Sequence, residues 1–555
     1  MPIEALDPCG SESKKPPRRR APSRPGQRLR AEEVVTRTLP TDRASSYPHT
    51  EAPNASLPCE GCGGPAPSWR CYWGPRLCSA CGEAATAEFE AAGGWPLAPW
   101  EVPHAPGVAV AGAGFAVIDG FDVTFSPCCF GELAAFCVRY AVRELWVHES
   151  GLEALGWPQA IEKRADPRAG QAHPFFGDLE GFESSLRPAG LAPWANYWRK
   201  GGAGFRLFVP QYGRRLRTDG TWGRPPPFAA TESPWALSWA LGAYHAATGG
   251  RWPWRGTGAR TSDNWLVARF KGKLAPTAVA PPYAEGLAPE GDYQWVRPLR
   301  PAEERARYML AFDVNGAYLG AAGGVSLPAG KLEHLVGPNE VDEAIPGYWR
   351  FSGLPTWEGP GPAPWWRPDE LDADLWATTP AAAYLVKSFE LRPVEGYFWP
   401  EHHGYLRPWY DQLRVARATA VPASGALEAV KAVYKAGLGK LASERWHPQG
   451  AADPLYQPYW DQAVTALARC NLHRRIMRLG AEPFGVSVDC LYFLTNSPSH
   501  GAFAARVGIP LGEGLGQFKP KGPRLAGAAA RAELGGGRSP VGIFRALDEL
   551  LEAAP

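Results

Sequence analysis

The chain has 555 residues, 45% of them hydrophobic, and a formal net charge of +2. That length allows several domains with buried cores, while a charge so near neutral identifies no partner by itself. No run of about 18 apolar residues occurs and the N-terminus lacks an apolar h-region, which excludes a membrane span and a secretory signal; the chain reads as cytoplasmic.

"KKPPRRRAPSRPGQRLR", residues 14–30, holds eight basic residues and no acid. Pro and Arg at that density build no core, so residues 1–55 read as a disordered basic arm, either a nucleic-acid contact or a solvated tail. Residues 56–90 carry Cys59-x2-Cys62 and Cys78-x2-Cys81. Two such knuckles suit a zinc ribbon in which two turns each offer two thiolates to one tetrahedral Zn2+; the alternatives are a redox pair or disulfides, the latter disfavoured in a chain without a secretory signal. Cys71 between them is a spare, and the ribbon could grip nucleic acid or protein.

Residues 105–295 read as a mixed α/β domain. "GVAVAGAGFAVIDGFDVTF" predicts strand, turn, strand, and "FGELAAFCVRYAVRELWVHES" a helix running into a strand. "GFRLFVPQYG" is strand-like, and "SPWALSWALGAYHAATGG" is a helix with a Ser cap and a Gly stop. A Pro- and Gly-rich connection follows. Beyond residue 300, "YMLAFDV" is a buried strand, and "YWRFSGL" and "YLVKSFELRPVEGYFW" look like further strands. "YLRPWYDQLRVARA", "GALEAVKAVYKAGLGKLASE" and "DQAVTALARCNLHRRIMRLG" are helical, and the apolar strand "FGVSVDCLYFLT" comes after them.

Asp313 ends one apolar strand and Asp489 interrupts another, far apart in sequence. If those strands pair, two carboxylates meet where repulsion is costly unless cations bind. Two Mg2+ ions are the natural solution, since they need few carboxylates and stabilise attacking and leaving oxygens in phosphoryl transfer. Lys431 and Lys435 share a helix face, and Arg414 and Arg417 lie one turn apart on the preceding helix. Together they could hold a triphosphate, or simply form a solvated basic face. Gly437 and Gly439 weaken the Lys-bearing helix, which suggests close approach by something bulky.

"DVNGAYL" resembles the first palm motif of family B DNA polymerases, D-x-x-S-L-Y-P, in the D-V-N-S-L-Y-P form of the protein-primed phage branch. "KAVYKAGLGKL" resembles the fingers motif K-x-x-x-N-S-x-Y-G-K, "SVDCLYF" the second palm motif D-T-D-S, and "LGQFKPKG" the Lys-bearing segment that holds the primer end. The resemblance implies metal ligation by Asp313 and Asp489. It implies nucleotide contacts from Val314, Tyr318 (the floor under the sugar), Arg414, Arg417, Lys431 and Lys435, and DNA contacts from Gly439, Lys519 and Lys521.

The fold so implied is α/β (α+β): a right-hand palm, fingers and thumb after an exonuclease-like domain. Palm is expected at 300–400 and 446–510, fingers at 401–445, and a short thumb with a C-terminal helix at 511–555. The implied function is template-directed DNA polymerisation by two-metal nucleotidyl transfer, with primer-template DNA and dNTPs as partners. The protein-primed form adds a terminal protein partner and service to a linear plasmid, phage or mobile element.

Ser487 stands where the family has the first Asp of D-T-D, Lys435 where it has Asn, and Leu438 where it has Tyr. These departures favour a slow or specialised enzyme and leave open an inactive, nucleic-acid-binding relative. A metal-dependent nuclease using the same carboxylates is a further rival. Asp119 and Asp122 lack a paired Glu, and Asp178 and Glu180 follow no convincing strand, so no exonuclease activity is expected from 105–295.

Overall fold

The computed structural model describes residues 105–554 except for several internal stretches, of which 155–182, 209–226 and 271–289 are the longest. The basic arm, the cysteine knuckles, and the pair Asp178 and Glu180 lie outside the described residues. Small and β-branched residues broken by Gly make short strands at the start: β1 (Val108–Ala111), β2 (Phe115–Ile118) and β3 (Phe121–Thr124). Helix α1 (Phe130–Arg139), β4 (Glu144–Val147), α2 (Glu149–Ala154), β5 (Glu183–Ser185), β6 (Trp194–Trp198) and β7 (Gly204–Phe208) complete a seven-stranded mixed sheet, ordered β3-β2-β1-β4-β7-β6-β5. Alternation decides its two faces. Ala109, Leu145 and Leu207 pack with Leu133 and Phe136 of α1, whereas Val110, Trp146 and Phe208 face α3 (Pro234–Ala247). The Ser233 hydroxyl accepts a hydrogen bond from the Ala236 amide, and Gly249 and Gly250 turn left-handed beyond the helix, as the cap and stop signals predict.

Helix α3 and α4 (Gly258–Phe270) do not belong to that sheet alone. They share one continuous apolar core with α8 (Arg407–Thr419), α9 (Ala426–Leu438) and α10 (Pro458–Ile476). Nor is residue 295 a clean boundary. Strand β8 (Gln294–Val296) joins the sheet that holds Asp313.

That second sheet begins with β8, the short helix α5 (Pro301–Glu304), β9 (Tyr308–Val314) and α6 (Ala317–Ala322). The chain then forms β10 (Leu327–Ala329), β11 (Glu333–Val336), β12 (Gly347–Phe351), β13 (Leu375–Thr378), α7 (Thr379–Phe389), β14 (Glu395–Phe398) and β15 (Glu401–His403). Here one expectation needs correction: "YLVKSF" is helix α7, not strand. Pro380 at the first turn and three alanines start it, and its apolar side covers the sheet β11-β14-β12-β13.

After α8–α10 come β16 (Gly485–Ser487), β17 (Cys490–Thr495), α11 (His500–Val507), β18 (Phe518–Pro520), β19 (Leu525–Ala526), α12 (Gly527–Leu534) and α13 (Pro540–Ala553). The sheet runs β18-β9-β17-β16-β8, with β19 also on β9. Leu310, Phe312 and Val314 face α10 and α11, while Met309 and Ala311 face α12 and α13. Residues 518–553 supply two strands and a helical cover to this sheet. Ile543, Phe544, Leu547 and Leu551 form the buried stripe that holds α13 there. Among the described residues no helix is long and apolar enough to cross a membrane.

Candidate active site

Strand β9 carries Asp313 to its end, and β17 runs antiparallel beside it with Cys490 opposite Asp313. "FGVSVDCLYFLT" is not one strand. It folds back at Val488–Asp489, so Asp489 sits on a hairpin turn rather than inside a strand. Val488 adopts φ +56°, a conformation that costs a β-branched residue on the order of 1–3 kcal/mol. The turn is pinned on both sides. The Val488 amide donates to the Tyr293 carbonyl at 2.7 Å, and the Asp489 carbonyl accepts from the Val314 amide at 3.2 Å.

The two carboxylates are thus brought to one end of one sheet. Burial, then the charge of Asp313, pushes the Asp489 carboxyl up to about 7, against the pull of Lys435. Lys519, opposite Asp313 on β18, places its ammonium 3.1 Å from the Asp313 carboxylate. Ser487 lies on β16 with its hydroxyl donating to Gln294 at 3.3 Å, so no carboxylate stands at that position.

Two further carboxylates border the site, and sequence reasoning missed both. Asp292 lies just before β8 and accepts a hydrogen bond from the Tyr318 hydroxyl. Asp461 lies in the first turn of α10, and burial followed by the charge of Asp292 raises it to about 6. The "EGDYQWV" segment offered a signal for the first, an acid leading into a strand. Asp461 looked like an ordinary acid at a helix N-terminus. Asp292 is placed by a buried ion pair: Arg469 of α10 donates to Glu290 at 2.5 Å and to the Gly291 carbonyl at 2.8 Å.

The expected phosphate-binding cations are distributed unevenly. Lys435 is exposed and lies within electrostatic reach of Asp489. Lys431 pairs with Glu428 one turn earlier at 2.5 Å. Arg417 is engaged within the protein, donating to Tyr434 at 2.8 Å and to the Asn315 side chain at 3.3 Å. It fastens both α8 and α9 to the loop after Asp313. Arg414 is exposed beside the Tyr410 ring. Val314 is buried, and its amide donates to the Asp489 carbonyl.

The residues expected to contact DNA divide in the same way. Lys519 faces Asp313, whereas Lys521 pairs with Asp548 at 2.8 Å and holds α13. Gly439 is the exposed C-cap of α9. Gly437 does mark a close approach, but to another helix: a Cβ there would lie 2.1 Å from the Ser262 hydroxyl of α4.

For Mg2+, the donor set fits a cation that takes few protein ligands. Two carboxylates share one sheet end, and crowding makes their negative charge costly. Among the described residues no group of three or more His, Cys, Asp or Glu gathers around a single point.

No protein-family model matches the chain, and no curated protein does. Among solved structures, phi29 DNA polymerase with primer-template DNA and incoming nucleotides aligns at a TM-score of 0.39 and 15% identity, over 73% of this chain and 80% of that one. The same polymerase with primer-template DNA alone aligns at 0.39 and 14% identity over the same shares. With single-stranded DNA it aligns at 0.38 and 14%, again over 73% of this chain and 80% of that one.

Proposed function

We propose that the chain is a template-directed DNA polymerase of the family B type, taking primer-template DNA and deoxynucleoside triphosphates. The observation that carries this reading is the meeting of Asp313 and Asp489 at one sheet end, on β9 and on the β16–β17 turn. Asp313 and Asp489 would hold the Mg2+ ions, which when bound supply positive charge to the transferring phosphoryl group.

The chain's own residues do the rest by positioning. Tyr318, at the start of α6 directly behind Asp313, would form the floor under the sugar. Lys431 and Lys435 on α9, with Arg414 on α8, would line the triphosphate and neutralise the departing pyrophosphate. Arg417 holds those two helices to the palm loop through Tyr434 and Asn315. Lys519 would exchange its Asp313 partner for the primer end. Cys59, Cys62, Cys78 and Cys81 would bind one structural Zn2+, because four thiolates in paired knuckles make a closed tetrahedral set. A protein hydroxyl from a terminal protein is a suitable primer for such a site, as is a nucleic-acid 3′-end.

Primer extension on a defined template with Mg2+ or Mn2+ tests the reading. The expected result is nucleotide-dependent extension that disappears in Asp313→Ala and Asp489→Ala. A second reading, a DNA-binding protein that has lost catalysis, is favoured by Ser487 in place of a carboxylate and by the Lys519–Asp313 ion pair. DNA binding without any extension would decide for it. Shortening of DNA that depends on Asp313 and ignores added nucleotides would point to a nuclease instead.

A further inference from the structure

The Tyr318 hydroxyl donates to a carboxylate that none of the sequence motifs contains, that of Asp292. We propose that Asp292 is the positioning residue that clamps the Tyr318 ring and thereby sets discrimination between deoxynucleotides and ribonucleotides. This inference rests on the polymerase reading.

The clamp is anchored on both sides in the chain. Upstream, the Glu290 carboxylate accepts from Arg469 at 2.5 Å and from the Thr378 amide and hydroxyl at 2.6 and 2.8 Å. The Gly291 carbonyl accepts from Arg469 at 2.8 Å. Downstream, the Tyr293 carbonyl receives the Val488 amide at 2.7 Å, and the Tyr293 hydroxyl donates to the Ala363 carbonyl at 3.0 Å. The Asp292 backbone is thus tied to α10, to the start of α7 and to the turn that bears Asp489. The Tyr318 ring packs against the helical core, and the hydrogen bond from its hydroxyl to a fixed acceptor restrains its far end as well.

Electrostatics argues that the carboxylate is there for function and not for stability. Asp292 is within electrostatic reach of Asp461 of α10 and of Asp489 on the hairpin turn, and Arg469 opposes that negative charge. A neutral asparagine would accept the same hydrogen bond without adding to this repulsion. Burial and these negative neighbours push the Tyr318 hydroxyl far above its ordinary value, so it remains a donor at every working pH. A charged acceptor makes the stronger bond, and a floor that must resist a 2′-hydroxyl needs a stiff tether.

The test compares wild type, Asp292→Asn and Asp292→Ala as full-length protein, with 3-fluorotyrosine at position 318 for 19F NMR. Efficiencies for dNTP and rNTP incorporation are measured on one primer-template. Loss of a hydrogen bond to a charged group should lower the dNTP:rNTP efficiency ratio about 10- to 100-fold in Asp292→Ala. The change should come through a fall in ribonucleotide KM, with a moved or broadened Tyr318 resonance. Asp292→Asn, which keeps an acceptor oxygen but loses the charge, should fall between wild type and Asp292→Ala in discrimination.

An unchanged ratio in Asp292→Ala, with the Tyr318 resonance shifted, overturns the selectivity role and leaves the polymerase reading standing. An unmoved resonance overturns the clamp. A wild type that extends no primer overturns the polymerase reading, and the selectivity role with it.

Discussion

Asp489→Asn should make the metal-free protein more stable while abolishing extension. In the folded chain the Asp489 carboxyl is lifted from the ordinary 3.8 to about 7 by burial and by Asp313. At about 1.4 kcal/mol per factor of ten, ionising it in place costs on the order of 4 kcal/mol. The side chain keeps partial access to solvent, which screens part of that, so about 2 kcal/mol is expected.

The sign follows from proton binding. Below about pH 4 the carboxyl is protonated both folded and unfolded, and the substitution changes little. As pH rises from 4 to 7 the unfolded chain releases this proton and the folded one holds it, so wild-type stability falls. Above 7 the whole cost is present. Thermal unfolding in chelator should therefore show a midpoint about 2 °C higher for Asp489→Asn than for wild type at pH 8.5, and roughly a third of that gain at pH 5. A gain of equal size at both pH values, or a loss at pH 8.5, would falsify the claim that burial and the charge of Asp313 together raise the Asp489 carboxyl.

Arg469→Met leaves the Glu290 carboxylate uncompensated in the core; a loss of about 3–5 kcal/mol is expected in urea unfolding, with Glu290→Gln in the same chain recovering part of it. Gly437→Ala drives a methyl group into Ser262 of α4, and a loss of about 1–3 kcal/mol should shrink when Ser262 is replaced by Gly; a neutral Gly437→Ala would mean that the two helices are further apart than described. Arg417→Ala unties α8 and α9 from Asn315, so nucleotide KM should rise; an unchanged KM argues against the fastening role. Cys59→Ser should take bound zinc from one ion per chain to none by elemental analysis, and full zinc content in that variant would refute the ligand set.

Much of the local structure follows from residue order alone. The Ser233 cap and the glycines after α3 bound a helix because a hydroxyl satisfies the first free amides and Gly alone turns left-handed without strain. Strand β9 and helices α8, α9 and α10 are equally legible from apolar period, and Asp313 with them. Periodicity does not report which partner an apolar face will meet. For that reason the α7 segment resembled a strand, and the core that α3 shares with α8, α9 and α10 was not visible from its own apolar face. Only the tertiary structure turned the chain at Val488, folded Asp489 back beside Asp313, and brought Asp292 to Tyr318 through an ion pair between residues 290 and 469. Those placements depend on long-range pairing and on charges driven together by burial, neither of which is encoded at any single position.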